Sequence, residues 1–581
     1  MMRNVYGFGS YPRFKQSLTH ESLSNDRRCL PGISLDDNML FLCLEMFKIY
    51  DRCCPIRIKQ VSENRTNKPW INKHVLSLVR YKHFLFKQFK NKIIPLDIYK
   101  NFKINVAKYI DDARKNYLIR KFDSCGNDLK KTWNGINDLF RNSSKKKNLN
   151  TISLEKDGSL VNSSLEVSNE FNNYFSSVAI DLDRNIPIAT ISPMHFLSNP
   201  IRNSIFINPT FPNEVENLIN NAPLKSCPLN EIPTFIFKQI KAPLSAVIST
   251  LFNESVETAN FPRCLKIARI VPVYKEGDNT SVKNYRPISV LPFIGKMFAK
   301  LMYARLNKFF TANDVIFKHQ FGFQTGLGTS DAIVEFLDHV YKSIGNHEIF
   351  VSVYIDLRKA FDTVNGKILL NKLNHYGVRG VANDWIKSYL TNRQQFVSIE
   401  GSNSPKSDVC LGVPQGSVLG PLLFLVYVND MFSSCPNMQL IHYADDTTAF
   451  CSAKTTGELI TTVNSNLKLL NLWLQSNRLS LNVQKSSYMI FGNHDLPPGY
   501  DFVINSQPLT RSETAKFLGI QIDSKLNFKC QTEKLLSKIS RVAGITWKAR
   551  LLLAKSTLRK IYLSLAYSHL MYGILAWGQC S

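Results

Sequence analysis

Two adjacent carboxylates, Asp445 and Asp446, stand between strand-like runs in "MQLIHYADDTTAF" (438–450), and no other feature restricts the fold as tightly. The flanking runs read as the two arms of a hairpin with the acids at its tip. Aspartate is an ordinary turn residue, and two solvated carboxylates there cost little. The alternative is that the pair gathers divalent cations, which requires a third carboxylate upstream. "FVSVYIDLRKAFDTV" (350–364) supplies one: an apolar strand ends on Asp356, with no basic residue inside the strand to pair with it. Burying an unpaired carboxylate costs several kcal/mol. If Asp356 faces the hairpin tip, three carboxylates meet, and an all-oxygen cluster suits Mg²⁺.

The 581 residues exceed one compact domain and should divide into about three or four units. A net charge of +27 and a pI near 9.5 call for a polyanionic partner, because each phosphate neutralised releases condensed counterion. Charge alone leaves ribosomal, chromatin and membrane-surface proteins equally open. Twelve cysteines include no C-x-x-C pair, so neither a zinc site nor a disulfide framework is legible. The N-terminus lacks an apolar signal core, and the longest apolar run, Val418 to Val428, is too short to span a bilayer. The expectation is an intracellular protein of nucleus or cytoplasm, without signal peptide or membrane segment.

Residues 1–60 show no sustained period and read as a weakly structured leader. The stretch 61–150 reads as helical and basic: residues 81–150 carry 17 Lys+Arg against 6 Asp, with aromatics interleaved in "RYKHFLFKQFKNK". Such rings either stack on bases while the cations meet phosphate, or form a small core beneath a solvated basic face. "NSSKKKNLN" (142–150) resembles a linker, and 151–209 holds one amphipathic helix, "LEVSNEFNNYFSSVAIDL". Beyond 210 the texture becomes mixed. Helices are expected at 213–221, 242–258, 294–310, 365–375, 382–390 and about 417–430, and strands at 267–275, 350–356 and 394–400, before the hairpin near 445. Strands separated by helices and closed by a hairpin fit an α+β core better than a doubly wound sheet.

The ordered set "IARIVPVYKEGD…NYRPISVLP" (267–292), "HQFGFQTGLGTSDAI" (319–333), "YIDLRKAFD", "LGVPQGSVLGPLLFLVYVND", "YADD", "LSLNVQKSSYMIF" (479–491) and "KFLGIQID" (516–523) resembles the reverse transcriptase of jockey-type (LINE-like) non-LTR retrotransposons. The resemblance implies an α+β right-hand polymerase, with fingers and palm over 210–526 and a partial, truncated thumb over 527–581. It also implies RNA-directed addition of dNTPs to a primer 3′-hydroxyl with two Mg²⁺ ions, Mn²⁺ being the alternative, and an RNA template with a DNA primer or target as partners. Carried over position by position, Asp356 and Asp445 are metal ligands with Asp446 supporting them. Phe361 is the gate against a ribose 2′-hydroxyl, or else a core ring beside a turn. Gln415 and Gly416 lie by the nucleotide and template, and Lys275 and Arg286 clamp the triphosphate. Lys485 protonates departing pyrophosphate, or is an ordinary surface lysine. Three departures from the pattern are Gln324 after "FGF", "KSCPLNEIP" (225–233) and "VNG" (364–366). The missing endonuclease and clipped thumb suggest a truncated polyprotein, with a non-enzymatic nucleic-acid-binding relic as the rival. A group II intron maturase or telomerase-like enzyme shares the palm but matches the motifs less well. Oligomeric state is not legible.

Overall fold

The computed structural model describes residues 34–55, 69–125, 152–156, 158–224, 231–492, 494–550 and 555–578, with 128, 131, 134, 135 and 553 as isolated positions. The chain divides into two compact units. One combines residues 1–59 with 150–526, and the other combines 60–149 with 527–581.

The first unit is mixed helix and sheet. Its main strands are β1 (Ile267–Tyr274), β2 (Tyr285–Val290), β3 (Ile349–Ile355), β4 (Arg393–Ile399), β5 (Gln439–Tyr443), β6 (Asp446–Ala453), β7 (Ser487–Ile490) and β8 (Thr510–Arg511). One sheet runs β8-β7-β3-β6-β5, and a second is built on β2-β1-β4. In the first sheet β3 lies between β6 and β7, antiparallel to both. Phe350, Val351, Val353 and Ile355 are all buried, because a central strand covered on both faces needs an apolar run rather than alternation. The apolar segment beside "PQG" forms the helix Leu419–Val428, in which every residue except Pro421 is buried. A helix apolar all round belongs inside a core. The expected strands and helices from 213 to 430 fall within two residues of those observed.

The leader departs from expectation. Residues 35–53 form helix α1 (Leu35–Cys53), with Leu35, Met39, Leu42, Met46, Ile49, Tyr50 and Cys53 buried in the main core of this unit. Those positions repeat at helical spacing, and Ser34 caps the first turn by accepting from the Asp37 amide at 3.2 Å. The turn-rich "CLPGISLDDN" obscured a start signal of the Ser-x-x-acid kind. Residues 1–33 lie outside the described residues, as do 225–230 of "KSCPLNEIP" and the linker 142–150. Helix α2 (Ser164–Arg184) is the expected amphipathic helix. Its Val167, Phe171 and Phe175 pack with Ala268, Ile270, Tyr285 and Val397 of the second sheet.

In the second unit, helices Lys73–Lys90 and Leu96–Asp123 form a hairpin joined ring to ring. Tyr81 meets Phe102 at 5.2 Å between centroids, Phe86 meets Tyr99 at 5.4 Å, and His74 meets Tyr109 at 6.2 Å. Leu118 and Phe122 continue into a small cluster with Ala549, Leu553 and Ile561. Even so, Tyr81, Phe84 and Tyr109 stay half exposed, so these rings are neither a closed core nor a free stacking platform. Among the described residues, no helix is long and apolar enough to cross a membrane.

Candidate active site

Strand register brings the carboxylates together. Thr447 of β6 pairs with Ile355 of β3, so the next residues outward, Asp446 and Asp356, face each other at the end of the ladder. Asp446 also closes the hairpin opposite Tyr443, leaving Ala444 and Asp445 as the two-residue turn. Ala444 takes a left-handed φ of 59°, an uncommon state for a residue with a Cβ that signals outside restraint.

That restraint comes from "HQFGF". The buried Gln320 side chain accepts from the Ala444 amide at 3.0 Å and from the Gly322 amide at 2.9 Å. On either side of it, the Phe321 amide donates to the His442 carbonyl and the His442 amide to the His319 carbonyl. A Cβ on Gly322 would lie 2.3 Å from the Ala444 nitrogen, so only glycine lets the segment rest on the turn. Asp356 is held from the other side by "LNVQKSS". The Asn482 side chain donates to its Oδ2 at 2.8 Å, and its amide donates to Ser486 Oγ at 3.1 Å. Neither Gln320, Asn482 nor Ser486 was singled out by sequence reasoning. The signal available was a polar residue inside an otherwise apolar or turn-forming motif.

Partial loss of hydration pushes the Asp445 carboxyl above the usual carboxylate range; Asp356 adds to the shift, while Arg286 and Lys275 pull it back. Asp446 is raised as well, first by desolvation and then by Asp445 and Asp356, with Lys516 and Lys275 opposing. The three aspartates therefore share one field that the neighbouring cations offset only in part. Among the described residues, no three His, Cys, Asp or Glu side chains form a ready-made cage for one ion. The arrangement is an open, oxygen-only set at a strand end.

Residues 273–522 match the family described as "Reverse transcriptase (RNA-dependent DNA polymerase)". They form a reverse transcriptase domain. The chain is 30% identical over 413 residues to the probable RNA-directed DNA polymerase from transposon BS of Drosophila melanogaster, covering 66% of this chain and 44% of that protein. It is 29% identical over 405 residues to the RNA-directed DNA polymerase from mobile element jockey of the same species, covering 66% and 43%. A more distant likeness, 26% over 306 residues, links it to the Pol polyprotein of retrotransposable element R1 of Bradysia coprophila, covering 51% and 29%. The chain thus spans less than half the length of these curated relatives.

Within and beside the reverse transcriptase domain, the remaining expected residues take distinct positions. Lys275 and Arg286 sit at the loop-connected end of the β1–β2 ladder, where Val273 pairs with Arg286 and the Lys275 amide donates to the Asn284 carbonyl. Both lie in the field of Asp445. Lys485 is exposed and reaches Glu276 at 3.5 Å; Lys275 lies 4.0 Å from the same carboxylate, so Glu276 ties the two lysines together. Phe361 is half-buried, stacked on Phe424 at 4.5 Å with its edge toward Phe323 at 6.4 Å. The ring is therefore a packed, half-buried side chain. The Gln415 carbonyl accepts from the Ser289 amide, while its buried Oε1 has no hydrogen-bond partner among the described residues. Gly416 has φ 91°, which itself calls for glycine. As for "VNG", Asn365 caps helix Gly366–His375 by accepting from the Lys367 and Ile368 amides, so the departure has a structural use.

Proposed function

We propose that this chain is the polymerase segment of a jockey-type non-LTR retrotransposon, adding dNTPs to a primer 3′-hydroxyl on an RNA template. The observation that carries the proposal is the register placing Asp356 opposite Asp446, with Asp445 in the turn between β5 and β6. In this reading the β8-β7-β3-β6-β5 sheet is the palm, the β1–β2 ribbon belongs to the fingers, and helix Lys529–Ala549 begins the thumb.

The donor set fits Mg²⁺. That ion keeps several waters and takes one or two carboxylates plus substrate phosphates, rather than a closed protein cage. An open set of Asp356 and Asp445, with Asp446 beside them, supplies those oxygens; the Asp445 and Asp446 carboxyls are raised first by loss of hydration and then by neighbouring carboxylates, and both costs are ones a bound cation would relieve. Two bound ions, Mg²⁺ or alternatively Mn²⁺, supply charge neutralisation at the attacking hydroxyl and the departing pyrophosphate. The protein's own residues position the reactants. Lys275 and Arg286 meet the triphosphate, the guanidinium offering a bidentate grip. Gln415, with a buried oxygen unpaired among the described residues, and Gly416 border the nucleotide and template. The half-buried ring of Phe361 closes the space a 2′-hydroxyl would need. Lys485, tethered through Glu276 beside Lys275, is within the cation group that faces the leaving pyrophosphate.

Primer extension on a heteropolymeric RNA template, with and without Mg²⁺, tests the proposal: the wild type should extend and EDTA should abolish extension. A chain that binds RNA but extends nothing with either Mg²⁺ or Mn²⁺ overturns it. The gate is tested separately by Phe361→Ala, which should raise the ratio of ribonucleotide to deoxynucleotide incorporation. An unchanged ratio would assign Phe361 to packing against Phe424 alone.

A further inference from the structure

We infer that Lys359 is a third cation of the triphosphate site, and that Tyr174 of α2, a helix lying ahead of the matched domain, is the positioning residue that holds it there. The inference deepens the polymerase reading and rests on it.

Lys359 has a left-handed backbone, φ 48°, three residues after Asp356. A lysine gains nothing locally from that conformation, which costs on the order of 1–3 kcal/mol and persists where surrounding structure enforces it. Its ammonium lies 5.7 Å from the centre of the Tyr174 ring and 3.4 Å from the Tyr285 carbonyl. Tyr285 immediately precedes Arg286 on β2 and pairs with Tyr274, next to Lys275, on β1. The backbone strain thus delivers the side chain to the end of the ribbon that carries the other two cations.

The electrostatics agree with the placement. Burial lowers the Lys359 ammonium below its usual range, and the charges of Lys275 and Arg286 lower it further, while Asp362 opposes them. Neither Lys359 nor Arg286 has an ion-pair partner within 4 Å among the described residues. One long hydrogen bond to a carbonyl leaves two ammonium donors unspent. Three cations lie in one field, and Lys359 and Arg286 have no ion-pair partner within 4 Å among the described residues, so their donors are open to an anionic ligand. A polyphosphate carries several negative charges over a short length and is the ligand class that can engage all three at once.

Tyr174 has a different task. A ring face attracts an ammonium by about 0.5–2 kcal/mol without supplying a carboxylate that would compete with phosphate. Its own hydroxyl is raised by burial and then by Asp362, which places Tyr174, Lys359 and Asp362 in one local field. Nothing in the 273–522 match includes this helix, so the nucleotide site would draw on a residue a hundred positions upstream.

The test uses the full chain as wild type, Lys359→Ala, Lys359→Arg, Tyr174→Ala and Tyr174→Phe. Two readouts are taken: the KM for dNTP in single-nucleotide extension, and calorimetric binding of inorganic tripolyphosphate, which needs no activity. Lys359→Ala should raise KM and weaken tripolyphosphate binding about tenfold or more, the scale of one charge-assisted contact, with primer–template affinity unchanged. Lys359→Arg should restore most of both. Tyr174→Ala should raise KM about threefold to tenfold, while Tyr174→Phe, which keeps the ring, stays near wild type. If Lys359→Ala lowers the melting temperature enough to obscure the comparison, Lys359→Met keeps the aliphatic stem and carries the same expectation. Values for Lys359→Ala within twofold of wild type in both readouts overturn the inference. A Tyr174→Ala value within twofold, beside an impaired Lys359→Ala, overturns the part assigned to Tyr174. Should the wild type fail to extend any primer while Lys359→Ala still loses tripolyphosphate, the polymerase reading falls and the cation site stands.

Discussion

The two units of this chain use charge in opposite ways. The unit that carries the carboxylates has 42 Lys+Arg against 37 Asp+Glu in 436 residues, close to balance. The other has 30 against 8 in 145 residues, so it holds +22 of the chain's +27. In the first, each functional charge has an address: Asp356 is fixed by Asn482 and Ser486, and the 444–445 turn by Gln320. In the second, Lys87, Lys90, Lys100 and Lys103 stand exposed on helices held together by ring contacts. Chemistry at phosphorus depends on position within tenths of an ångström, whereas affinity for a phosphate backbone depends mainly on how many cations reach it. On the proposed function, this contrast leads us to expect nucleotide addition from the balanced unit and sequence-tolerant nucleic-acid affinity from the basic one.

The sharpest way to break that division is Asp445→Asn. It preserves size and turn preference but removes one charge from the open oxygen set, so nucleotide addition should fall at least about 10²–10³-fold. Gel-shift affinity for RNA, and its dependence on salt, should not move. Normal polymerisation by the variant would remove Asp445 from the site, and a changed salt slope would show that the balanced unit also governs affinity.

Next in size is the reciprocal experiment. Replacing Lys87, Lys90, Lys100 and Lys103 together with glutamine should weaken single-stranded RNA binding about 10–10²-fold at moderate salt. The slope of log K against log[salt] should become shallower by about 3, from roughly 0.7 per phosphate contact. With primer and template saturating, the rate of nucleotide addition should stay at the wild-type value. An unchanged slope would mean that the basic helices do not meet phosphate.

Much of the balanced unit was legible in the sequence because its signals are local. A buried central strand must be an apolar run, so β3 and the acid at its end could be read directly. Strands flanking Asp445 and Asp446 left only a hairpin between them. Less legible was everything that depends on tertiary neighbours. Gln320 reads as one more polar residue in "HQFGF", and only the fold shows it gripping a turn 124 residues away. Helix α1 carried a readable period, yet its turn-rich approach hid it. The concentration of charge was legible only in part: the basic run at 81–150 stands out, but the second contributing segment lies 377 residues further on and only folding groups the two.

A middle-sized effect tests the addressing of charge within the balanced unit. Gln320→Ala leaves the Ala444 and Gly322 amides without their acceptor, and a buried donor stripped of its partner costs about 1–3 kcal/mol. Denaturant unfolding should therefore show a loss of about 2–4 kcal/mol, with nucleotide addition impaired and the salt slope untouched. Wild-type stability would mean that the turn holds its shape without the clamp.

The smallest expected effect appears only across a pH window. Burial pushes the Asp362 carboxyl up to about 6, with the charge of Lys359 opposing. Its ordinary value in an unfolded chain is near 4, so folding favours the protonated form. The stability this contributes is fully present below about pH 4 and is lost as pH rises through 6, because the folded state must then carry a poorly hydrated charge. Asp362→Asn cannot ionise and keeps the uncharged shape throughout. At pH 8 it should unfold at higher denaturant than the wild type, by on the order of 2 kcal/mol, and at pH 4 the two should coincide. Both measurements are made on the same pair of proteins, so a constant gap would trace the effect to packing rather than charge. A gap that opens between pH 4 and 7 would show that the balanced unit gives up stability to keep a carboxylate beside Lys359, which a region built on exposed, interchangeable lysines has no need to do.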